Sequence, residues 1–335
     1  MRAELADFRV VEQLGFEPDN DGPHTWLNVR KLGATTPWVA KQLAEHCGIA
    51  VRDVGYSGLK DRHAITEQWF SVPLPADDSR LQAGEIAPDV EIVARVPARR
   101  KLKRGTHRGN DFELIIRDTA LTDNTLAARI DAIRRDGFPN YFGPQRFGRE
   151  FGNLGLADRA VRGQKLRGPK REYAISAARS FLFNGFVGQR VAERLLLDWQ
   201  EGDRASLDGS RSHFSVDLDD PDLMSRTANG DIHPSATLWG REGSLLAGPA
   251  ANREQALIRE LGKEAWCDWL ERGRSTSMLR PVRVRASALT YQYDAANARL
   301  RLQFGLPAGS FATALLAEIV DVRDVRAHSR VSSNT

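Results

Sequence analysis

The stretch from Gly55 to Trp69 constrains the chain most: Gly-Tyr-Ser-Gly-Leu-Lys-Asp-Arg-His-Ala-Ile-Thr-Glu-Gln-Trp. Val51–Tyr56 and Glu67–Val72, rich in β-branched and aromatic residues and bounded by Gly and Pro, read as strands on either side. Gly55 and Gly58 are expected to supply backbone angles closed to other residues. Asp61, flanked by Lys60 and Arg62, is then carried on a connection between two strands. That is how a rigid scaffold presents a reactive group.

The chain has 335 residues, enough for one large domain or two. No apolar run reaches membrane-spanning length, and no signal-peptide pattern opens the chain, so a cytoplasmic protein is expected. Cys47 and Cys267 lie far apart without a CxxC, and the histidines form no HxxxH pair. This argues against a disulfide framework and a structural metal site, and for a reducing compartment. With 48 basic against 44 acidic residues, placement of charge matters more than its sum.

Phe8–Leu14 and Trp26–Leu32 are expected to be strands paired as a hairpin. Thr36 then reads as the N-cap of a helix, with Pro37 at its first position, Trp38, Val39, Leu43 and Cys47 on its apolar face, and Gly48 ending it. Glu91–Val96 and Phe112–Arg117 are further strands, and Thr122–Arg135 an amphipathic helix. Glu172–Leu197 and Asn252–Gly273 show helical periodicity on either side of short polar pieces. Strands return at Val282–Ala288, Leu289–Tyr293 and Leu300–Gly305, before a last helix, Ala312–Val320. The plan is a strand-rich domain interrupted by a mainly helical one, with a cleft between two domains as the natural ligand site.

Two stretches suit nucleic acid. Between the strands near residues 96 and 112, Arg99, Arg100, Lys101, Lys103, Arg104 and Arg108 put six basic residues in ten. They form either a solvated hairpin tip or, since the run holds no acid, a phosphate contact. From Gly137 to Leu154, five aromatics stand among four glycines and two arginines. This is either an aromatic turn packed on the core or a platform for unpaired bases.

Five strings together resemble one family. They are Asp7-Phe8-Arg9-Val10-Val11-Glu12, the stretch Gly58–Gln68, Asn140-Tyr141-Phe142-Gly143-Pro144-Gln145-Arg146-Phe147-Gly148, the stretch Ser176–Asn184, and Leu306-Pro307-Ala308-Gly309-Ser310-Phe311-Ala312-Thr313. In this order they are similar to the signatures of the TruD family of tRNA pseudouridine synthases. The resemblance implies an α+β fold: a pseudouridine-synthase catalytic domain with a mixed, largely antiparallel sheet (1–165 and 282–335) and a mainly helical TRUD insertion (166–281). It implies conversion of uridine to pseudouridine at position 13 of tRNA without a cofactor. Asp61 falls on the catalytic aspartate, and Phe8, Asn140, Phe142 and Phe311 fall on substrate-pocket positions. Leu5-Ala6 stand where the family usually reads Pro-Glu, with Arg2 as the nearby basic residue.

Pseudouridylation breaks the N1–C1′ bond and rejoins uracil through C5, so a carboxylate nucleophile suits it. The nucleophile needs a cation beside it. Neighbours in an extended segment point away from each other, so Arg2 is expected to pair with Asp61. Lys60, Arg62, Gln145 and Arg146 are expected to support the site. tRNA is the expected partner of a monomer with no obligate protein partner and no membrane. The second reading is a tRNA-binding or folding protein without chemistry. The intact acid favours the enzyme, since pure binding gains nothing from a buried acid facing RNA.

Overall fold

The computed structural model describes residues 3–119 and 121–321. The chain opens with β1 (Phe8–Gln13), β2 (His24–Leu32) and α1 (Thr36–Cys47), then β3 (Gly55–Tyr56) and β4 (Ile65–Val72), β5 (Gly84–Ala87), β6 (Val90–Ala98) and β7 (Gly109–Ile116). α2 (Asp123–Asp136) and β8 (Phe138–Pro139) follow, then α3 (Gly152–Val161) and α4 (Pro169–Ala192). β9 (Arg204–Leu207), β10 (His213–Ser215), α5 (Leu223–Asn229) and β11 (Ile232–Leu238) precede α6 (Gly248–Glu260) and α7 (Glu264–Glu271). The chain closes with β12 (Met278–Pro281), β13 (Arg283–Val284), β14 (Ser287–Asp294), β15 (Arg299–Pro307) and α8 (Ala312–Ile319).

The described chain divides into two compact units. One holds the residues up to Ala128, Ala286–Gly309, and the described end from Val320; the other holds Arg129–Arg285 and Ser310–Ile319. The first unit is built on a nine-stranded sheet in the order β14-β15-β7-β1-β4-β2-β6-β5, with β3 also on β4. Among the described strands of this sheet only β1 and β4 run parallel.

The expected hairpin of the first two strands does not form, because β4 lies between β1 and β2. The connection from Leu14 to Pro23 is too long for a tight hairpin turn, so it does not enforce pairing. β4 carries Thr66, Gln68 and Phe70 on a fully buried face, as suits a central strand. The inward face of the sheet continues through Leu27 and Val29, onto which Val39, Leu43 and Cys47 of α1 pack. Trp38, expected on that face, is instead 40% exposed.

The cap of α1 also differs by one residue. Thr35 accepts from Trp38 N, and Gly48 closes the helix at φ 64°. Thr36, expected as the cap, is buried, with its hydroxyl donating to Gln68 Oε1 and accepting from Lys60 N. A hydroxyl that serves two strand-side partners is not available to a helix end.

The second unit packs α3, α4, α6 and α7 around Ala178, Leu182, Phe183, Phe186, Trp239 and Trp266. It is less purely helical than expected. β10-β9-β11-β12 form a four-stranded antiparallel sheet, where the polar pattern gave no period-2 signal. The expected single helix over Asn252–Gly273 is two, α6 and α7. Gly262, at φ 60°, breaks it just past the end of α6. At the core of this unit, Arg283 is 1% exposed. It donates to His233 Nδ1 and to the carbonyls of Asp136, Thr227 and Ile232, so its burial is hydrogen-bonded throughout.

The glycines around Asp61 have a different reason from the expected one. Neither Gly55 nor Gly58 lies at positive φ. Gly55 is needed for close packing: a Cβ there would stand 2.4 Å from Ser71 Oγ and 2.5 Å from the Leu102 carbonyl oxygen. Gly55→Ala should therefore destabilise the protein by roughly 1–3 kcal/mol through overpacking. A urea titration that leaves the midpoint unchanged would refute this packing account.

Candidate functional site

Asp61 lies on the connection between β3 and β4, and the residue is exposed. What surrounds it is a set of buried polar contacts that fix the connection at several points. Lys60 reaches inward, its Nζ 2.7 Å from Glu12 Oε1 and donating to Asn110 Oδ1 at 2.5 Å. Both ends of this ion pair are buried, with side chains 5% and 0% exposed. Glu12 Oε2 accepts from Trp69 N on β4. Gln68 Nε2 donates to the Gly58 carbonyl. Arg62 Nε donates to the Gly33 carbonyl, just beyond β2. The two basic neighbours of Asp61 thus brace the connection on either side of it.

Sequence reasoning missed Lys31. This lysine of β2 is fully buried, and its Nζ donates to the carbonyls of Ala34, at 2.7 Å, and Asp61, at 2.9 Å. It therefore fixes the backbone of Asp61 itself. Burial pushes its pKa down to about 8, partly offset by attraction to Asp61. Burial also lowers that of Lys60, against the pull of Glu12 and Asp61. Both lysines thus put positive potential on Asp61. Arg2, the cation expected there, lies outside the described residues. A signal for Lys31 existed: Leu27, Val29 and Lys31 share one strand phase, so a lysine stood at a core position. Glu12 does the same in β1, after Phe8 and Val10.

Phe8 is 2% exposed and meets Phe112 edge-on, with ring centroids 6.2 Å apart. These are the contacts of a core residue. On the other face of this sheet, a concavity of about 800 Å³ is lined by Arg9, Val11, Arg30, Glu67 and Glu113, among others. None of the expected site residues lines it. Several of its charges are paired, Arg30 with Glu67 and Glu91, and Glu113 with Arg301.

The basic run connects β6 to β7 but is no loose tip. Leu102 is buried, and its N–H donates to Ser71 Oγ. Gly105 N donates to the Ser57 carbonyl. Ser57 and His107 are hydrogen-bonded side chain to side chain. Arg104 stacks 3.9 Å over Tyr56 and donates to its hydroxyl, while Lys101 Nζ donates to the Arg52 carbonyl. Acids absent from the run come from the β1–β2 loop: Asp21 pairs with Arg99, and Asp19 accepts from its backbone N–H. Arg100, Lys103, Arg104 and Arg108 remain exposed.

The second unit brings together Asn140, Phe142, Arg146 and Phe311. The rings of Phe142 and Phe311 meet at 5.6 Å, and Arg146 lies 5.1 Å over the first and 5.7 Å over the second. Arg146 donates to Ser176 Oγ, and its Nε is buried without a hydrogen-bond partner. Among the described residues no carboxylate pairs with Arg146, and burial lowers its pKa. Gly143 lets two side chains close in: a Cβ there would stand 2.6 Å from both Gln145 Oε1 and Thr313 Oγ1.

Asn140 is 3% exposed and both ends of its amide are engaged. Its Nδ2 donates to the Pro281 carbonyl, and its Oδ1 accepts from Arg280. Arg280, not expected from sequence, stacks 4.2 Å over Phe142. Its pKa is pushed down to about 9 by burial, with repulsion from Arg146 adding to it. Asn140 thus acts on Arg280 before it can act on anything else.

Two outcomes follow. A lysine with a depressed folded-state pKa binds fewer protons folded than unfolded between about pH 8 and pH 10.4, so stability rises with pH across that window. Lys31→Met should reduce that rise, leave stability at pH 7 equal or higher, and lower turnover at least tenfold by releasing the Asp61 carbonyl. Turnover at the wild-type level would show that Lys31 does not position Asp61. Separately, Asn140→Ala and Arg280→Met should each lower kcat/KM, and the double variant should lose no more than the worse single one. Additive losses would mean that Asn140 acts independently of Arg280.

The family model described as tRNA pseudouridine synthase D (TruD) matches residues 1–161 and 156–319. The tRNA pseudouridine synthase D of Aeromonas salmonicida is 40% identical over 333 residues, covering 97% of this chain and 91% of that protein. That of Methylococcus capsulatus is 39% identical over 331 residues, covering 96% and 90%. A crystal structure titled as the putative tRNA pseudouridine synthase D (TruD) from Methanosarcina mazei superposes with a TM-score of 0.74. It covers 96% of this chain and 93% of that one, and at 20% identity it shows a shared fold.

Proposed function

Because the chain belongs to the tRNA pseudouridine synthase D family, we propose that it isomerises uridine 13 of tRNA to pseudouridine, with Asp61 as nucleophile. Enzymes of this family are isomerases, and the relatives above are named as synthases. That removes the ground for a protein that only binds or folds tRNA. The N1–C1′ bond breaks, C5 bonds to C1′, and the C5 proton leaves as N1 gains one. One proton leaves and one is gained, so the product is an isomer of the substrate.

The observation that carries the assignment of Asp61 is the bracing around it. A hydrophilic surface loop has no need of a buried Lys60–Glu12 pair, a fully buried lysine on its backbone carbonyl and a glutamine on Gly58. Such bracing fixes the backbone that carries the side chain, which catalysis by a positioned group requires.

The flipped base must trade its stack for another, at a cost of a few kcal/mol, and a protein ring returns about 1–3. Phe142 and Phe311 supply rings beside Arg146, whose Nε is aimed at no protein acceptor, and we assign them to base and phosphate contact. Phe8 supports from within the core. Arg100, Lys103, Arg104 and Arg108 meet backbone phosphates, with Arg99 and Lys101 holding the run in place. The catalytic domain is assigned to residues 1–165 and 282–335 and the TRUD insertion to 166–281. A tRNA substrate supports the expected cytoplasmic location. Among the described residues no helix is long and apolar enough to cross a membrane.

Asp61→Asn should abolish pseudouridine formation on an unmodified tRNA transcript, by at least a thousandfold in kcat, while tRNA affinity stays within a few fold. Pseudouridine mapping that finds equal product from the variant would remove Asp61 as nucleophile. Absence of product from the wild type on every tRNA would restore the binding reading.

A further inference from the structure

In the second unit, the end of α3, the α3–α4 connection and the first turn of α4 carry Arg159, Arg162, Lys165, Arg167, Lys170 and Arg171. Five of the six are exposed and Arg171 is half-buried. From 159 to 173 the sole acid is Glu172. Among the described residues none of the six is in an ion pair. Elsewhere several surface arginines do have partners: Arg134 meets Asp131, Arg226 meets Asp231, Arg253 meets Glu193 and Arg272 meets Asp268.

The placement also carries costs that solvation does not explain. Lys170 and Arg171 lie in the first turn of a 24-residue helix, where the helix dipole favours acids. Beside them Tyr173 is 56% exposed. At the start of α3, Phe151 is held at φ 58° with 61% of its surface exposed, after Glu150 at φ 51°. Left-handed backbone in a non-glycine residue costs on the order of 1 kcal/mol or more, here without burying the ring.

We propose that this segment is a second RNA-binding surface, at which the cations meet backbone phosphates and Tyr173 and Phe151 stack on unpaired bases of the tRNA body. Its role is affinity for the whole tRNA rather than chemistry at the target uridine. It rests on the reading of the chain as a tRNA-acting enzyme. RNA fits better than a protein partner, because a run of unpaired cations with an exposed ring at either end suits phosphates and unpaired bases. The concave sheet face of the first unit lacks that character, since Glu67, Asp111 and Glu113 stand among its arginines.

The test replaces Arg162, Lys165, Arg167 and Lys170 together by glutamine (Arg162→Gln, Lys165→Gln, Arg167→Gln, Lys170→Gln). These exposed positions make no ion pairs whose loss would unfold the protein, and a thermal melt checks this. A second variant, Tyr173→Ala, removes the ring alone. Binding of an unmodified tRNA transcript is measured against salt, and turnover is followed on that transcript and on a short hairpin carrying the target uridine. The slope of log K against log salt should fall by about 3–4, since each phosphate contact contributes about 0.9. KM for the full transcript should rise at least tenfold with kcat unchanged, and the hairpin should show no change. Tyr173→Ala should raise the transcript KM several-fold with the salt slope unchanged. An unaltered slope and KM for the quadruple variant, or equal losses on transcript and hairpin, would overturn the proposal. So would loss of binding to anionic phospholipid vesicles with tRNA binding intact. Wild-type protein that binds tRNA but makes no pseudouridine would sink the catalytic reading and leave this surface standing.

Discussion

The ion pair between Glu12 and Lys60 is the constraint on which the candidate catalytic segment depends. Each charge is buried, so removing either would strand the other at a cost of about 3–5 kcal/mol. Their surroundings make the pair tolerable: Asn110 accepts from Lys60, and Trp69 N–H donates to Glu12. The consequence is mechanical. β1, β4, β7 and the segment before β4 are tied at one point, and Asp61 is the next residue along.

Charge in this molecule is handled in three ways. On the open face of the large sheet, arginines and glutamates are paired and exposed, which contributes little to stability and nothing to anion binding. Beneath the Asp61 segment, lysines are buried and hydrogen-bonded, which costs solvation but holds backbone atoms in place. Around Phe142, Arg146 and Arg280 share one ring and repel each other, an arrangement that an anion relieves. The unpaired cations between α3 and α4 extend that third pattern to the surface.

Much of the site could be read locally. Asp61 between strand-forming segments, Gly48 as the stop of α1, and the helices α2, α4 and α8 follow from periodicity and punctuation close in sequence. Other features needed partners far along the chain. The position of β4 between β1 and β2 depends on which strand buries both faces best. Thr36 looked like a cap because nothing nearby says that Gln68 and Lys60 use its hydroxyl. Gly55 looked like a turn glycine, although the atoms that exclude a Cβ come from Ser71 and Leu102. The polar pieces that form β9 and β10 carry no alternation, so only pairing with β11 makes them strands.

The sequence by itself determined the family, the mixed α+β class and the segment that carries the acid. Those rest on contiguous motifs and on short-range backbone preference, which a linear string records. The tertiary structure alone decided what holds that acid and what Asn140 does. Lys31 is thirty residues from Asp61, Glu12 is 48 from Lys60, and Arg280 is 140 from Asn140. Buried polar groups must find partners wherever the fold places them, and one-dimensional spacing does not encode that choice.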